Sequence, residues 1–317
     1  MQTDFLRSLD FDAAVIRALF DLALEIKHAT KRRRHLTVLG GRTSIMVFQK
    51  PSLRTRATFD IGVKQMGGHA LYMGPTEVSM GERESVYDVA RNLERWTDLI
   101  IARVFAQGVV DELAEVAGVP VINALSDEEH PCQAMADFFT LHEKGIRWSE
   151  LKLAYVGDGN NVCHSLMAVA ALLGAEMRVA GPAAYHPPAA FVAEVEAINR
   201  LSGGKLLVTT DPREAVRGAN AVYTDIWASM GQEREAETRR KVFQAYQVNA
   251  ALMAEAERGA FFMHDLPAHR GEEVTDEVMD GPTSICFDQA ENRLHAQKAV
   301  ILHCLGLVEN AKAELAG

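Results

Sequence analysis

Residues 44–68 read SIMVFQKPSLRTRATFDIGVKQMGG. The apolar run Ile45-Met46-Val47-Phe48 predicts a buried strand, and Ser52-Leu53-Arg54-Thr55-Arg56 opens an amphipathic helical segment that stops at Gly67-Gly68. A helix start presents unpaired N–H groups and partial positive charge. Hydroxyls and guanidinium groups gathered there can hold a phosphate through several charge-assisted hydrogen bonds. Read without the rest of the chain, Ser52 could equally be a simple helix cap and the arginines solvated.

Outward from this stretch, short apolar segments alternate with helical periods, the pattern of crossover units in a mainly parallel sheet covered on both faces. Strands are predicted at Ser44 to Phe48, Ala70 to Met73, Leu99 to Phe105 and Val119 to Ala124, with helices after Ser52, Ser85, Gln107 and Pro131. After the polar stretch from Lys144 to Glu150 the alternation restarts. Further strands are predicted at Leu151 to Val156, Met177 to Ala180, Leu206 to Thr209, Ala221 to Asp225, Phe261 to His264 and Ser284 to Phe287. The fold class expected is α/β, with two doubly wound parallel-sheet domains and the active site in the cleft between them. The domains are placed at 1–148 and 149–290, a last helix over about 291–317 packing back on the first. Gly231 to Lys241 is polar enough to be a mobile loop.

The 317 residues, 48% of them hydrophobic, suit two cores. A net charge of -10 argues against nucleic acid as a general partner. Lys31-Arg32-Arg33-Arg34 closes a helical pattern beginning near Ala13, where cations suit the helix dipole. The four cysteines, Cys132, Cys163, Cys286 and Cys304, lack paired metal-type spacing, and no apolar run approaches the roughly 20 residues that span a bilayer. A cytoplasmic protein with no membrane partner and no metal is expected.

Polar clusters stand where apolar strands stop: Arg103 with Phe105, His130-Pro131-Cys132-Gln133, Asp225 followed by Ser229-Met230-Gly231, and His264-Asp265-Leu266-Pro267, with Arg293 close behind Glu291-Asn292. Gly157-Asp158-Gly159-Asn160-Asn161 superficially matches a dinucleotide turn, but Val162 stands where the third glycine is needed. No nicotinamide or flavin cofactor is expected. The turn instead sets the amides of Asn160 and Asn161 at a sheet's carboxyl end, where they can read a carboxylate and an ammonium.

In these motifs the chain resembles the aspartate/ornithine carbamoyltransferase family nearly end to end. Ser52 to Arg56 is similar to the family's carbamoyl phosphate signature, and His130-Pro131-Cys132-Gln133 to its second shared signature. Asp225 with Ser229-Met230-Gly231, Pro267 to Val274, and Glu291-Asn292-Arg293 resemble the ornithine branch. The resemblance implies transfer of a carbamoyl group from carbamoyl phosphate to the δ-amine of L-ornithine, giving L-citrulline, by a cofactor-free homotrimer of arginine biosynthesis. It implies that Ser52, Leu53, Arg54 and Thr55 hold the phosphate, Ser79 standing where the family reaches a neighbouring subunit's donor. Thr55, Arg103 and His130 would face the carbonyl oxygen, and Gln133 and the Leu266 carbonyl the carbamoyl amine, with Arg293 nearby. Asn161, Asp225, Ser229 and Met230 would bind the acceptor's α-groups, donor binding first.

The chain departs from the family at Leu53, often Thr, and at Asp265, where the family has a cysteine beside the reacting amine. Two carboxyls, Asp225 and Asp265, are then expected to share a small site and raise the pair's apparent pKa. Asp265 could serve as a base, hold the amine protonated, or turn outward as a cap before Pro267. The rival readings are a carbamoyltransferase for another amine and a catalytically impaired carbamoyl phosphate-binding paralogue.

Overall fold

In the computed structural model, which describes residues 3–78, 80–81, 83–228 and 233–317, the chain forms two compact units. One comprises Met1–Phe139 with Glu291–Gly317, the other Thr140–Ala290. Ser79, Ser229 and Met230 lie outside the described residues.

The first unit is built on a four-stranded sheet of β1 (Thr43–Phe48), β2 (His69–Met73), β3 (Leu99–Arg103) and β4 (Val121–Leu125), in the order β2-β1-β3-β4. All pairings are parallel. The inner strands β1 and β3 are buried almost throughout and are mainly apolar, as strands covered on both faces must be. The edge strand β2 is half exposed. On the other edge, Phe5 pairs with β4 through Phe5 N–H to the Val121 carbonyl, 2.9 Å. Because β1 has its successor on one side and β3 on the other, the strand order reverses at their junction. Their carboxyl ends, Phe48 opposite Arg103, face the crevice such a reversal opens.

The second unit repeats the plan with β5 (Lys152–Val156), β6 (Glu176–Ala180), β7 (Lys205–Thr209), β8 (Ala221–Thr224) and β9 (Phe261–His264), ordered β7-β6-β5-β8-β9 and again parallel. The reversal falls between β5 and β8, so Gly157–Asn161 and Asp225 emerge side by side. Its core gathers Val156, Val222, Phe243, Phe262 and Val274.

Three expectations are corrected. Ser284 to Phe287 is not a strand: Ser284 makes a single bridge to Phe262, and the helix Cys286–Cys304 begins two residues later. The final helical stretch is two helices, Cys286–Cys304 and Val308–Ala316, parted where Gly306 turns to φ 69°. Within Gly231 to Lys241, residues from Ala236 belong to the helix Ala236–Phe243, which buries Arg239 and Phe243 on one face despite its polar composition. Among the described residues no helix is long and apolar enough to cross a membrane.

Candidate active site

In the first unit, Ser52 caps the helix Leu53–Gln65, its hydroxyl accepting from the Thr55 N–H at 3.3 Å. Leu53 points to solvent, 80% exposed, so it offers the site its backbone rather than its side chain. Thr55 is buried one turn in, and its hydroxyl accepts from Arg293 Nη2 at 3.1 Å. Arg293 also donates through Nη1 to Gln133 Oε1, while Gln133 Nε2 donates to Asp137 Oδ1 at 2.8 Å. One guanidinium therefore fixes side chains from two other helices, which suits its planar fork.

Arg103 ends β3, and its carbonyl accepts from the Gln49 N–H at 2.7 Å, tying the two strand ends together. His130 is fully buried just before the helix Pro131–Glu143. Burial pushes its imidazole well below 6.5, and Arg293, Arg103 and Arg54 push it further down. The imidazole is neutral at pH 7, so it can donate a hydrogen bond without surrendering a charge. The charges of three guanidinium groups acting on a neutral donor are the electrostatics that suit an anion with a polarised carbonyl.

In the second unit, Asn160 caps the helix Asn161–Leu173, accepting from Val162 and Cys163 N–H at 3.1 Å each. Tyr155 donates to the same oxygen at 3.2 Å, which leaves Nδ2 to donate to Asp225 Oδ2 at 2.7 Å. Asp225 Oδ1 accepts from the Ile226 N–H at 2.7 Å. Burial first, then the charge of Asp265 and a hydrogen bond between the two carboxyls, lift the Asp225 pKa well above 3.8. Two carboxyls this close favour protonation of Asp225. With 12% of its side chain exposed and an oxygen within 4.8 Å of ligand atoms of Asp225 and His264, Asp265 is turned inward rather than outward as a cap.

A network absent from the expectations supports this pair. His264 Nε2 lies 3.0 Å from Glu273 Oε1, both residues fully buried. Nδ1 accepts from the Leu266 N–H at 2.9 Å and faces Asp265 Oδ1 at 3.4 Å. The two contacts at Nδ1 serve different protonation states: the neutral ring takes the N–H, the imidazolium the carboxylate. Burial works against the charge, but hydrogen bonds to Asp265 and Glu273 and the charges of Asp265 and Asp225 raise the pKa to about 9. Nothing in the sequence signalled it, since Glu273 stands among turn residues with nothing beside it to mark it as buried.

Asp225, His264 and Asp265 each bring one ligand atom within 4.8 Å of the others, as do His269, Glu272 and Glu273. By type the first set could take a divalent cation. Within that set His264 is itself anchored to Glu273 at 3.0 Å. Asn161 opens its helix, its side-chain oxygen accepting from the Val162 N–H at 3.0 Å, and Leu266 is held at φ 64°.

Residues 3–143 match the carbamoyl-P binding domain of aspartate/ornithine carbamoyltransferase, and residues 149–304 its Asp/Orn binding domain. The chain is 48% identical over 302 residues to an ornithine carbamoyltransferase of Anoxybacillus flavithermus, covering 95% of this chain and 96% of the relative. It is 48% identical over 303 residues to the anabolic ornithine carbamoyltransferase of Pyrococcus furiosus, covering 96% of each. The solved Pyrococcus furiosus ornithine carbamoyltransferase superposes with a TM-score of 0.93 at 47% identity, covering 96% of this chain and 97% of that one.

Proposed function

We infer the reaction from a premise and a geometry: the chain belongs to the aspartate/ornithine carbamoyltransferase family, and its two polar clusters suit the two substrates of carbamoyl transfer to L-ornithine. The products are L-citrulline and phosphate. The observation that carries the reading is the neutral, buried His130 surrounded by Arg54, Arg103 and Arg293, in a chain 48% identical to ornithine carbamoyltransferases along nearly its whole length.

In this reading Ser52, the Leu53 N–H, Arg54 and Thr55 hold the phosphate. Thr55, Arg103 and His130 donate to the carbonyl oxygen as negative charge grows there. Gln133 and the Leu266 carbonyl accept from the carbamoyl amine, and Arg293 acts by holding Gln133 and Thr55 in place. Ser79 stands where the family often has a Gln or His that serves a neighbouring subunit's donor, while Asn161, Asp225, Ser229 and Met230 bind the acceptor's α-groups. The δ-ammonium of ornithine, with a pKa of about 10.4 when free, must lose a proton before it attacks. Asp265 accepts that proton. The amine then forms the C–N bond as the C–O bond to phosphate breaks, and the departing phosphate takes the second proton. An arginine-biosynthetic role, a homotrimer and a cytoplasmic location complete the reading, the first supported by the anabolic Pyrococcus furiosus relative.

The test is citrulline formation from about pH 6 to 10 by the wild type and Asp265→Cys, with putrescine, N-acetylornithine and lysine as rival acceptors. Turnover is expected with ornithine alone, with the acid limb displaced in the cysteine variant. Saturable carbamoyl phosphate binding with no turnover on any acceptor would establish the impaired paralogue instead.

A further inference from the structure

Arg239 comes from the stretch whose composition reads as a solvated loop, yet it is buried. Its Nη1 donates to Asp158 Oδ2 at 2.6 Å and to the Trp227 carbonyl at 3.0 Å. Its Nε donates to Glu235 at 3.2 Å, and the guanidinium carbon lies 4.8 Å from the centre of the Tyr185 ring. Tyr185 is itself joined to the turn after β5, since its carbonyl accepts from the Gly159 N–H at 2.8 Å. Phe243, one helical turn beyond Arg239, closes the same cluster against Tyr185 and Trp227, with ring centres 4.9 and 6.0 Å away.

The two anchors matter because of their neighbours. Asp158 is two residues before Asn160, whose amide holds Asp225, and three before Asn161. Trp227 is two residues after Asp225, at the point where the chain leaves β8. One buried guanidinium therefore clamps together the two segments that carry Asn160, Asn161 and Asp225, from a helix that contributes none of them.

We propose that Arg239 is a positioning residue for the acceptor amino acid: by joining Asp158 to the Trp227 carbonyl it sets the spacing between Asn161 and Asp225 that the acceptor's α-carboxylate and α-ammonium require. The inference rests on the reading of this half-site as an α-amino acid site. A lysine keeps the charge but is a single point donor, so it cannot reproduce the fork. A misplacement of about 1 Å caused from a distance can cost about 100-fold.

The test compares wild type, Arg239→Lys, Asp158→Asn, their double mutant and Glu235→Gln. Binding of L-norvaline, the same α-amino acid head without the reacting amine, is measured by calorimetry with carbamoyl phosphate present. Carbamoyl phosphate binding and steady-state constants are measured alongside. Arg239→Lys is expected to weaken norvaline and raise the ornithine KM about tenfold, with kcat and the carbamoyl phosphate Kd within about threefold. Asp158→Asn should do the same, the double mutant no more than either single, and Glu235→Gln, whose carboxylate is largely exposed, should change neither. Unchanged norvaline affinity in Arg239→Lys, or an equal loss of both ligands, overturns the proposal. A wild type that binds norvaline but makes no citrulline sinks the ornithine reaction and leaves the positioning role standing; a wild type that does not bind it sinks both.

Discussion

At Asp265 a carboxyl stands against a second buried carboxyl, and the energetic sign of that contact can be worked out. A carboxyl whose native pKa lies above its unfolded value stabilises the fold only while protonated. Its contribution is full below the unfolded value, about 3.9, and is withdrawn as pH climbs through the native pKa. Asp225 is such a group, raised by burial and then by Asp265. His264, raised to about 9, likewise stabilises fully below about 6.5 and loses that contribution on the way to pH 9. Both act in the same direction, so the melting temperature of the wild type should fall steadily above neutral pH. Asp265→Asn removes the like charge and lets the Asp225 pKa drop. Because His264 also loses the carboxylate that raises it, both shifts shrink, and calorimetry should show the variant's melting temperature falling less steeply than the wild type's between about pH 6 and 9, so that the variant gains on the wild type as pH rises. A variant that gains toward acid instead would show that the two carboxyls do not repel. Glu273→Gln tests the other end of the network: a buried partner of His264 is lost, and about 1–3 kcal/mol of stability should go with it.

At the scale of the element, the helix Leu53–Gln65 separates two roles of one serine. The Ser52 cap bond is long at 3.3 Å, which puts its worth at the low end of the 0.5–2 kcal/mol usual for caps. Ser52→Ala should cost less than about 1 kcal/mol in a urea titration and still raise the carbamoyl phosphate KM about tenfold, since a phosphate contact is charge-assisted. A KM change no larger than the stability change implies would leave Ser52 a cap and nothing more. The same helix start was readable because an apolar strand, a capping serine and two arginines fall in one unbroken stretch. Strands β1, β3, β5 and β9 were equally plain, being continuous apolar runs between turn residues. Ser284 to Phe287 misled because Thr283 to Ile285 do lie along β9, Phe262 N–H bonding the Thr283 carbonyl and Ile285 N–H the Phe262 carbonyl, each at 2.9 Å, before the helix takes over at Cys286. Of the site, the residues at strand ends were visible from polarity following apolarity. The Arg239–Asp158 and His264–Glu273 contacts join segments 81 and 9 residues apart, and no local pattern marks such partners.

Across the whole molecule, the residues that would recognise the donor, Leu266 apart, and those that would recognise the acceptor belong to different compact units, each with its own sheet and core. Carbamoyl transfer needs both substrates held at once, and where one binds ahead of the other their affinities are linked reciprocally: if the donor tightens the acceptor by some factor, the acceptor tightens the donor by the same factor. A donor-first order makes this measurable. L-norvaline should bind weakly to the free protein and at least about tenfold more tightly once carbamoyl phosphate is present, a coupling of about 1.4 kcal/mol. Carbamoyl phosphate titrated in the presence of norvaline should gain the same factor. Arg54→Lys, by weakening the donor, should reduce apparent norvaline affinity at low carbamoyl phosphate and restore it at saturation. Asn161→Ala should weaken norvaline at every donor concentration and leave the donor's own Kd within about twofold. Equal norvaline affinity with and without the donor would mean that the two units recognise their ligands independently, and the ordered mechanism would have to be abandoned.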